Sequence, residues 1–340
     1  MFDQYLKSVV GGEYLNVEEA YSSAKMLLHD NIPVVQAAAF LSALRTRKER
    51  ALELGGFVQA IYEEAVKIDV DMELLDTCGT GGDGLGTFNI STLAALIAAA
   101  AGIPVAKHGN KAMTSKVGSA DVLEALGVNI MLSPDQARML LEKVGITFLF
   151  APQYHPILKE VGPLRREMGV ATIFNFLGPL LNPCDLSYQV MGIADYSMQE
   201  SIALTMSKLR RKRALVIHAE NGMDEFSPSG RTRFYDIEDR EMKRYDIDPI
   251  DLGLDPIPLE SILGGDISVN TRIAREVLDG ASGPFRDTVV LNAAAAIMTA
   301  GKAPGMKEGM QLAEEMIDSG KAKAILLKMI QYSRDGVTAC

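Results

Sequence analysis

Cysteine is scarce in this chain. Cys78, Cys184 and Cys340 are scattered over 340 residues, with no CxxC pair and no Cys/His spacing suited to zinc. An odd, dispersed set argues against a disulfide framework and predicts a reduced, cytoplasmic setting. Long apolar runs are missing too. The stretch Leu93 to Ala106 is broken by Gly102 and Pro104 and falls short of the roughly 20 residues a membrane helix requires. The opening MFDQYLKSVVGGEYL carries an acidic residue early and no long apolar segment, so it does not read as a secretory leader. A soluble protein without membrane contact is expected. Positive charge is in deficit: the formal net charge is −10, which opposes nucleic acid as a partner. The clearest basic cluster, Lys208, Arg210, Arg211, Lys212 and Arg213, reads as a solvated helix end. Internal repeats and low-complexity tracts are also lacking.

What remains is an ordinary globular composition, 48% hydrophobic and 23% charged, long enough for one large domain or two. Up to residue 66 the pattern is helical. Asn16 followed by Glu19 is a capping box, and Val17, Ala20, Tyr21, Ala24, Leu27 and Leu28 line one face behind it. A second helix starts near Pro33 and a third carries Leu54, Phe57, Val58 and Ile61, which makes a small all-helical unit of three helices. From residue 73 short apolar runs alternate with helices. Leu74-Leu75, Val105-Ala106, Val128–Leu132, Ile146–Phe150, Gln189–Ala194 and Ala214–Ala219 are strand candidates. Such alternation predicts an α/β fold with a mostly parallel central sheet flanked by helices. Residues 227 to 250 read as an exposed hairpin or loop, and the last 70 residues as mostly helical.

Two segments carry chemistry. The first, DTCGTGGDGLGTFNIST from Asp76, packs Gly79, Gly81, Gly82, Gly84 and Gly86 between a strand end and a helix start near Asn89. Glycines let several backbone N–H groups converge on one anion, and the helix N-terminus adds partial positive charge. Asn89, Ser91 and Thr92 add side-chain donors. A Walker loop is excluded because GxxxxGK[ST] does not occur; Gly79, Gly81 and Gly84 match GxGxxG, which is weak alone. The second segment, residues 107 to 127, gathers Lys107, Lys111 and Lys116 with His108, Asn110, Thr114, Ser115 and Ser119, a set suited to a polyphosphate. Further on, the adjacent carboxylates Asp224 and Glu225 follow a strand end and Gly222, and suit magnesium, which prefers oxygen ligands and bridges substrate phosphates.

Taken in order, Gly79–Asp83 (GTGGD), Lys107–Asn110 (KHGN), Gly118–Gly127, His155-Pro156, Arg165, Thr172–Pro183 and Gly222–Glu225 resemble the anthranilate phosphoribosyltransferases of the nucleoside-phosphorylase-like fold group. The resemblance implies a helical domain at 1–70 with a return segment near 157–184, and an α/β domain at 71–340. It implies transfer of a phosphoribosyl group from phosphoribosyl pyrophosphate to anthranilate, in tryptophan biosynthesis. Donor-site residues would be Gly79, Thr80, Gly81, Gly82, Asp83, Thr87, Asn89, Ile90, Ser91 and Thr92 from the first segment. From the second they would be Lys107, His108, Gly109, Asn110, Lys111, Ser115 and Ser119. Gly79, His108, Asn110, His155, Arg165 and Gly178 would line the anthranilate site, with Arg165 as carboxylate clamp and Arg166 as its competitor. Ser91, Asp224 and Glu225 would hold Mg2+, two ions per subunit arriving with the donor. No general base is assigned, since a neutral aromatic amine is already a nucleophile. A homodimer and a glutamine amidotransferase partner also fit the resemblance. Lys111, Met113, Thr114 and Ala171 depart from the family's usual residues. Two alternatives remain: a pyrimidine-nucleoside phosphorylase, and a non-catalytic homologue that binds nucleic acid.

Overall fold

The computed structural model describes residues 1–112 and 116–335. It opens with four helices, α1 (Phe2–Val10), α2 (Val17–His29), α3 (Val34–Thr46) and α4 (Ala51–Tyr62). The sequence reading expected three, and α1 is the addition. Phe2, Tyr5, Leu6 and Val9 lie at helical spacing and join the core, with the Phe2 ring 5.1 Å from that of Phe40. The Asn16 capping box forms: its side chain accepts the Glu19 N–H, and the Glu19 carboxylate accepts the Asn16 N–H. Helices α2 and α4 meet backbone to backbone at Gly56, where a Cβ would lie 2.6 Å from the Val17 carbonyl and 2.7 Å from the Ala20 Cβ.

Strands and helices then alternate: β1 (Leu74–Gly79), α5 (Ile90–Ala100), β2 (Val105–Gly109), α6 (Ser119–Leu126), α7 (Pro134–Val144) and β3 (Ile146–Phe150). Next come α8 (Ala151–Tyr154), α9 (Leu158–Met168), α10 (Phe174–Leu177), β4 (Leu186–Gly192), α11 (Gln199–Met206) and β5 (Arg213–Ala219). A hairpin of β6 (Thr232–Glu238) and β7 (Glu241–Ile247) precedes α12 (Ile267–Leu278), α13 (Pro284–Thr299), α14 (Met306–Asp318) and α15 (Lys321–Asp335). One sheet runs β3-β2-β1-β4-β5-β6-β7, parallel from β3 to β5 and antiparallel through the hairpin. The strand order reverses between β1 and β4. Crevices for ligands open at such a switch point, beyond the carboxyl ends of the strands.

Two cores flank the sheet. Helices α5, α13, α14 and α15 cover one face with residues such as Leu96, Ile97, Ala295 and Met329. On the other face Met191, Ile193 and Val216 pack with α11 and the N-terminal helices, and Val161, Phe174 and Leu177 belong to the same cluster. Helix α9 contacts α2 and α3, and α10 contacts α4, so the chain runs back to its first helices before re-entering the sheet at β4.

Three expectations need correction. Val128–Leu132 is not a strand. Val128, Ile130 and Leu132 are buried, but the segment's polar groups go elsewhere: Asn129 bonds to Ser333, and the Leu132 carbonyl accepts from Tyr154 and Gln153. The strand expected from Gln189 starts three residues earlier and ends at Gly192. The basic cluster is not simply solvated. Arg211 bonds to Gln189, Lys212 pairs with Glu73, and Arg213 makes a two-pronged contact with Asp236.

Gly56→Ala should lower the unfolding free energy by about 1–3 kcal/mol, because backbone atoms that cannot step aside occupy the Cβ position. An unchanged urea midpoint would show that the two helices are not in that contact.

Candidate functional site

β1 ends in the glycine loop, and Gly81, Gly82, Gly84 and Gly86 all take positive φ, from +65° to +80°. This conformation turns successive N–H groups toward one side. The turn after β5 lies directly against the loop. A Cβ on Gly79 would fall 2.1 Å from Asp224 Oδ2, and one on Gly192 would fall 1.4 Å from the Asp224 carbonyl oxygen. Both positions must be glycine for Asp224 to sit where it does. The Gly81 N–H donates to Asp224 Oδ2 at 2.7 Å.

Asp83, Asp224 and Glu225 bring one carboxylate oxygen each within 4.8 Å of one another. Burial, then the charge of Asp224, pushes the Glu225 carboxyl well above its usual range, and the same two causes raise Asp83. Glu225 Oε2 is buried without a hydrogen-bond partner among the described residues. Crowded carboxylates with an unsatisfied oxygen fit a divalent cation. The sequence reading placed Asp83 with the donor residues only; the structure sets it beside the acidic pair as well.

At the end of β2, Lys107 is buried, and its ammonium donates to the Thr77 carbonyl at 2.6 Å and to Ser91 Oγ at 3.3 Å. Burial lowers its pKa and Asp76 opposes that shift. Thus Lys107 and Ser91 meet under the glycine loop. His108 Nδ1–H donates to the Gly178 carbonyl at 3.1 Å, and His155 Nε2–H donates to the Leu181 carbonyl at 2.6 Å. The two rings lie edge to face, 5.2 Å apart. Burial drives both toward the neutral form, His108 to about 3, with His155 adding to the effect, and His155 to about 4.

Other expected donor residues make contacts within the protein. Thr80 Oγ1 accepts the Ala194 N–H, and Thr87 bridges to Leu263. Asn89 donates to the Val117 carbonyl and accepts from Asn270. Ile90 and Thr92 are buried at the start of α5. A Cβ on Gly109 would collide with Ser119 Oγ at 2.3 Å, and that hydroxyl donates to the Asn110 carbonyl at 3.4 Å. Lys111 extends along the surface to Glu124 at 2.9 Å rather than toward the loop. Ser115 lies outside the described residues, as do Met113 and Thr114.

A cleft of about 870 Å3 opens beside the loop, lined by Thr80–Gly84, Lys116, Arg165, Arg166, Ala171, Asn175, Asp195 and Arg45. Arg165 is half-buried with its guanidinium 5.5 Å from the Phe174 ring, while Arg166 is exposed. His108, His155 and Gly178 gather beneath, outside this lining. Arg45 had no signal in the sequence. It reaches from α3 to pair with Asp195 and with buried Glu49, and lies 4.8 Å over the Phe176 ring, joining the helical unit to the segment beyond the carboxyl end of β4.

Residues 3–65 match the family described as glycosyl transferase family, helical bundle domain, and residues 71–323 match its a/b domain. A curated anthranilate phosphoribosyltransferase of Syntrophomonas wolfei is 63% identical over 100% of both chains. The crystal structure of anthranilate phosphoribosyltransferase from Thermus thermophilus is similar with a TM-score of 0.90 and 41% identity, covering 97% of this chain and 99% of that one. The Saccharomyces cerevisiae enzyme of the same name, in complex with phosphoribosyl pyrophosphate and Mg, also aligns at 0.90, with 27% identity over 98% and 97% of the two chains.

Two outcomes follow from this geometry. Gly79→Ala should weaken Mn2+ binding, followed by electron paramagnetic resonance in the presence of the donor, by about tenfold or more, since it displaces Asp224. Wild-type affinity would mean that Asp224 does not need that position. The histidines predict acid sensitivity. An unfolded imidazole binds its proton near 6.5, whereas the folded ones resist until about 4 and 3, so stability falls as pH drops through this window. His155→Gln should flatten the decline in thermal midpoint between pH 7 and pH 5; a slope equal to the wild type's would contradict the burial effect.

Proposed function

We infer the reaction from one premise: the chain belongs to the anthranilate phosphoribosyltransferase family. It transfers the phosphoribosyl group of phosphoribosyl pyrophosphate to the amine of anthranilate and releases pyrophosphate, a reaction of tryptophan biosynthesis. The observation that carries the reading to this chain's own residues is the Asp83, Asp224 and Glu225 cluster held against the glycine loop.

In this proposal Asp224 and Glu225, with Asp83 and Ser91 assisting, hold two magnesium ions per subunit. Bound there, magnesium neutralises charge on the pyrophosphate and makes it a better leaving group. The glycine-loop N–H groups and Lys107 stabilise the same developing charge from the protein side. What supports Lys107 in this role is its ammonium beside Ser91 Oγ, at the start of α5, where the helix dipole also favours an anion.

The C1–oxygen bond breaks as the anthranilate nitrogen approaches from the opposite face, so the ribose passes through oxocarbenium character. Arg165 clamps the anthranilate carboxylate; its place in the cleft, half-buried against Phe174, favours it over exposed Arg166. His108 and His155, both neutral, offer a lone pair each to the amine hydrogens, His108 at Nε2 and His155 at Nδ1. Orientation of two substrates between the helical unit and the sheet supplies much of the rate.

Self-association through the helical unit, cytoplasmic residence and an amidotransferase partner belong to the same proposal. Exposed Val34 and Val35 at the start of α3 support the first. Among the described residues no helix is long and apolar enough to cross a membrane.

Asp224→Asn combined with Glu225→Gln should lower turnover at least about a hundredfold while the fold survives, with loss of anthranilate fluorescence as the readout. Near-wild-type rates in saturating Mg2+ would overturn the metal assignment. Phosphorolysis of thymidine by the wild-type enzyme, without donor-dependent loss of anthranilate, would overturn the reaction itself.

A further inference from the structure

A buried carboxylate beneath the site has no part in the chemistry above. Asp76 lies on β1 and is fully buried, and its Oδ2 accepts a hydrogen from the Asn182 amide at 3.0 Å. The second hydrogen of that amide goes to the Ala106 carbonyl on β2 at 2.8 Å, and Asn182 Oδ1 accepts the Cys184 N–H at 3.0 Å. Both amide hydrogens and its oxygen are thereby engaged, in a place without solvent. A fully satisfied buried network of this kind holds one geometry. Asp76 Oδ1 faces the His108 backbone N–H at 3.4 Å, and the positive charges of Lys107 and Arg211 offset the cost of burying the carboxylate.

Asn182 also closes a short segment that begins with a 3-10 turn, Gly178–Leu180. Residues 178 to 182 follow α10 and belong to no strand of the sheet. Their carbonyls are nonetheless the partners of both imidazoles: Gly178 for His108 and Leu181 for His155. A carbonyl only accepts, so each contact demands the proton on the ring nitrogen it meets. His108 must carry its proton on Nδ1 and His155 on Nε2. The opposite nitrogens, His108 Nε2 and His155 Nδ1, are left bare and buried, without a partner among the described residues. If the segment slid or rotated, the two tautomers would no longer be set.

We propose that Asp76 and Asn182 form a positioning pair for the acceptor side of the site: they pin residues 178 to 182 against β1 and β2, so that the Gly178 and Leu181 carbonyls fix which nitrogen of each histidine is bare. The inference rests on the acceptor role given above to His108 and His155. Asp76 touches neither substrate and acts through the segment. A second anchor holds the same segment from β4, where the Gln189 amide donates to the Pro179 carbonyl at 2.6 Å. The pair therefore tunes the segment's far end, next to Leu181, more than its start.

The test reads the tautomers directly. In 15N-labelled enzyme the imidazole nitrogens give distinct long-range correlations, and His29→Gln and His218→Gln remove the two histidines outside the pair. Wild-type enzyme should show one Nδ1–H and one Nε2–H neutral ring. Asn182→Ala should blur the His155 signals into an exchange average and raise the anthranilate KM about tenfold, while the donor KM moves less than about threefold. Because that variant leaves a buried carboxylate short of a partner and can unfold, Asp76→Asn runs beside it. It keeps the size but aims an amide N–H at either Asn182 or His108, and the same signature is expected at smaller amplitude. Fixed tautomers with an unchanged anthranilate KM in a folded variant would overturn the proposal. So would a parallel rise of both KM values that tracks lost thermal stability, which is the mark of a mere strut. Failure of the wild type to use anthranilate would sink the reaction instead, and the tautomer spectra would still decide the pair.

Discussion

The site depends on how closely one acidic turn lies upon two strand ends. Gly79 on β1 and Gly192 on β4 carry no side chain, and the turn bearing Asp224 occupies the room that two Cβ atoms would need. Everything else is arranged around that approach. The Gly81 N–H caps the Asp224 carboxylate, and Asp83 and Glu225 come within reach of it. The strand order places β1 beside β4, where connections depart in opposite directions and a crevice opens without any segment having to be moved aside.

A second constraint joins the two units. The chain leaves β3, packs α9 and α10 on the first helices, and returns to the sheet through residues 178 to 184. Arg45 makes a cross-connection higher up, from α3 to Asp195 beyond β4. Cleft walls therefore come from both units, and a displacement of the helical unit changes Arg165 and Arg45 together while the glycine loop stays with the sheet. Such a division suits an enzyme that must admit two substrates and then exclude water.

Much of the fold was legible because its signals are local. The capping box at Asn16 and the glycine loop both act within a few residues. Val128–Leu132 was misread since alternating burial is not by itself a ladder; the segment pairs with α15, some 200 residues away in the chain. Helix α1 was legible in principle from Phe2, Tyr5, Leu6 and Val9. In the site, motif spacing named the loop and the Asp224-Glu225 pair. It was silent on Arg45, whose meaning depends on Asp195 150 residues later, and it named Lys111 for the donor without the ion pair that Lys111 makes with Glu124. Pairings at that distance leave no periodic trace.

The energetics of the site follow from the same geometry. Three carboxylates share a small volume, a lysine is buried beside a serine, and two imidazoles are held neutral with bare nitrogens. Each arrangement costs folding free energy in the protein alone, since like charges repel and unpaired polar atoms have lost their water. In the function proposed above, donor, cation and acceptor would supply the partners: cations to the carboxylates and amine hydrogens to the imidazoles, with pyrophosphate placed against the loop and Lys107. A ligand that binds only the folded state stabilises it in proportion to the logarithm of its saturation. The folded protein is thus least satisfied at the acidic cluster and the two imidazoles, which is where bound partners would add most to its stability.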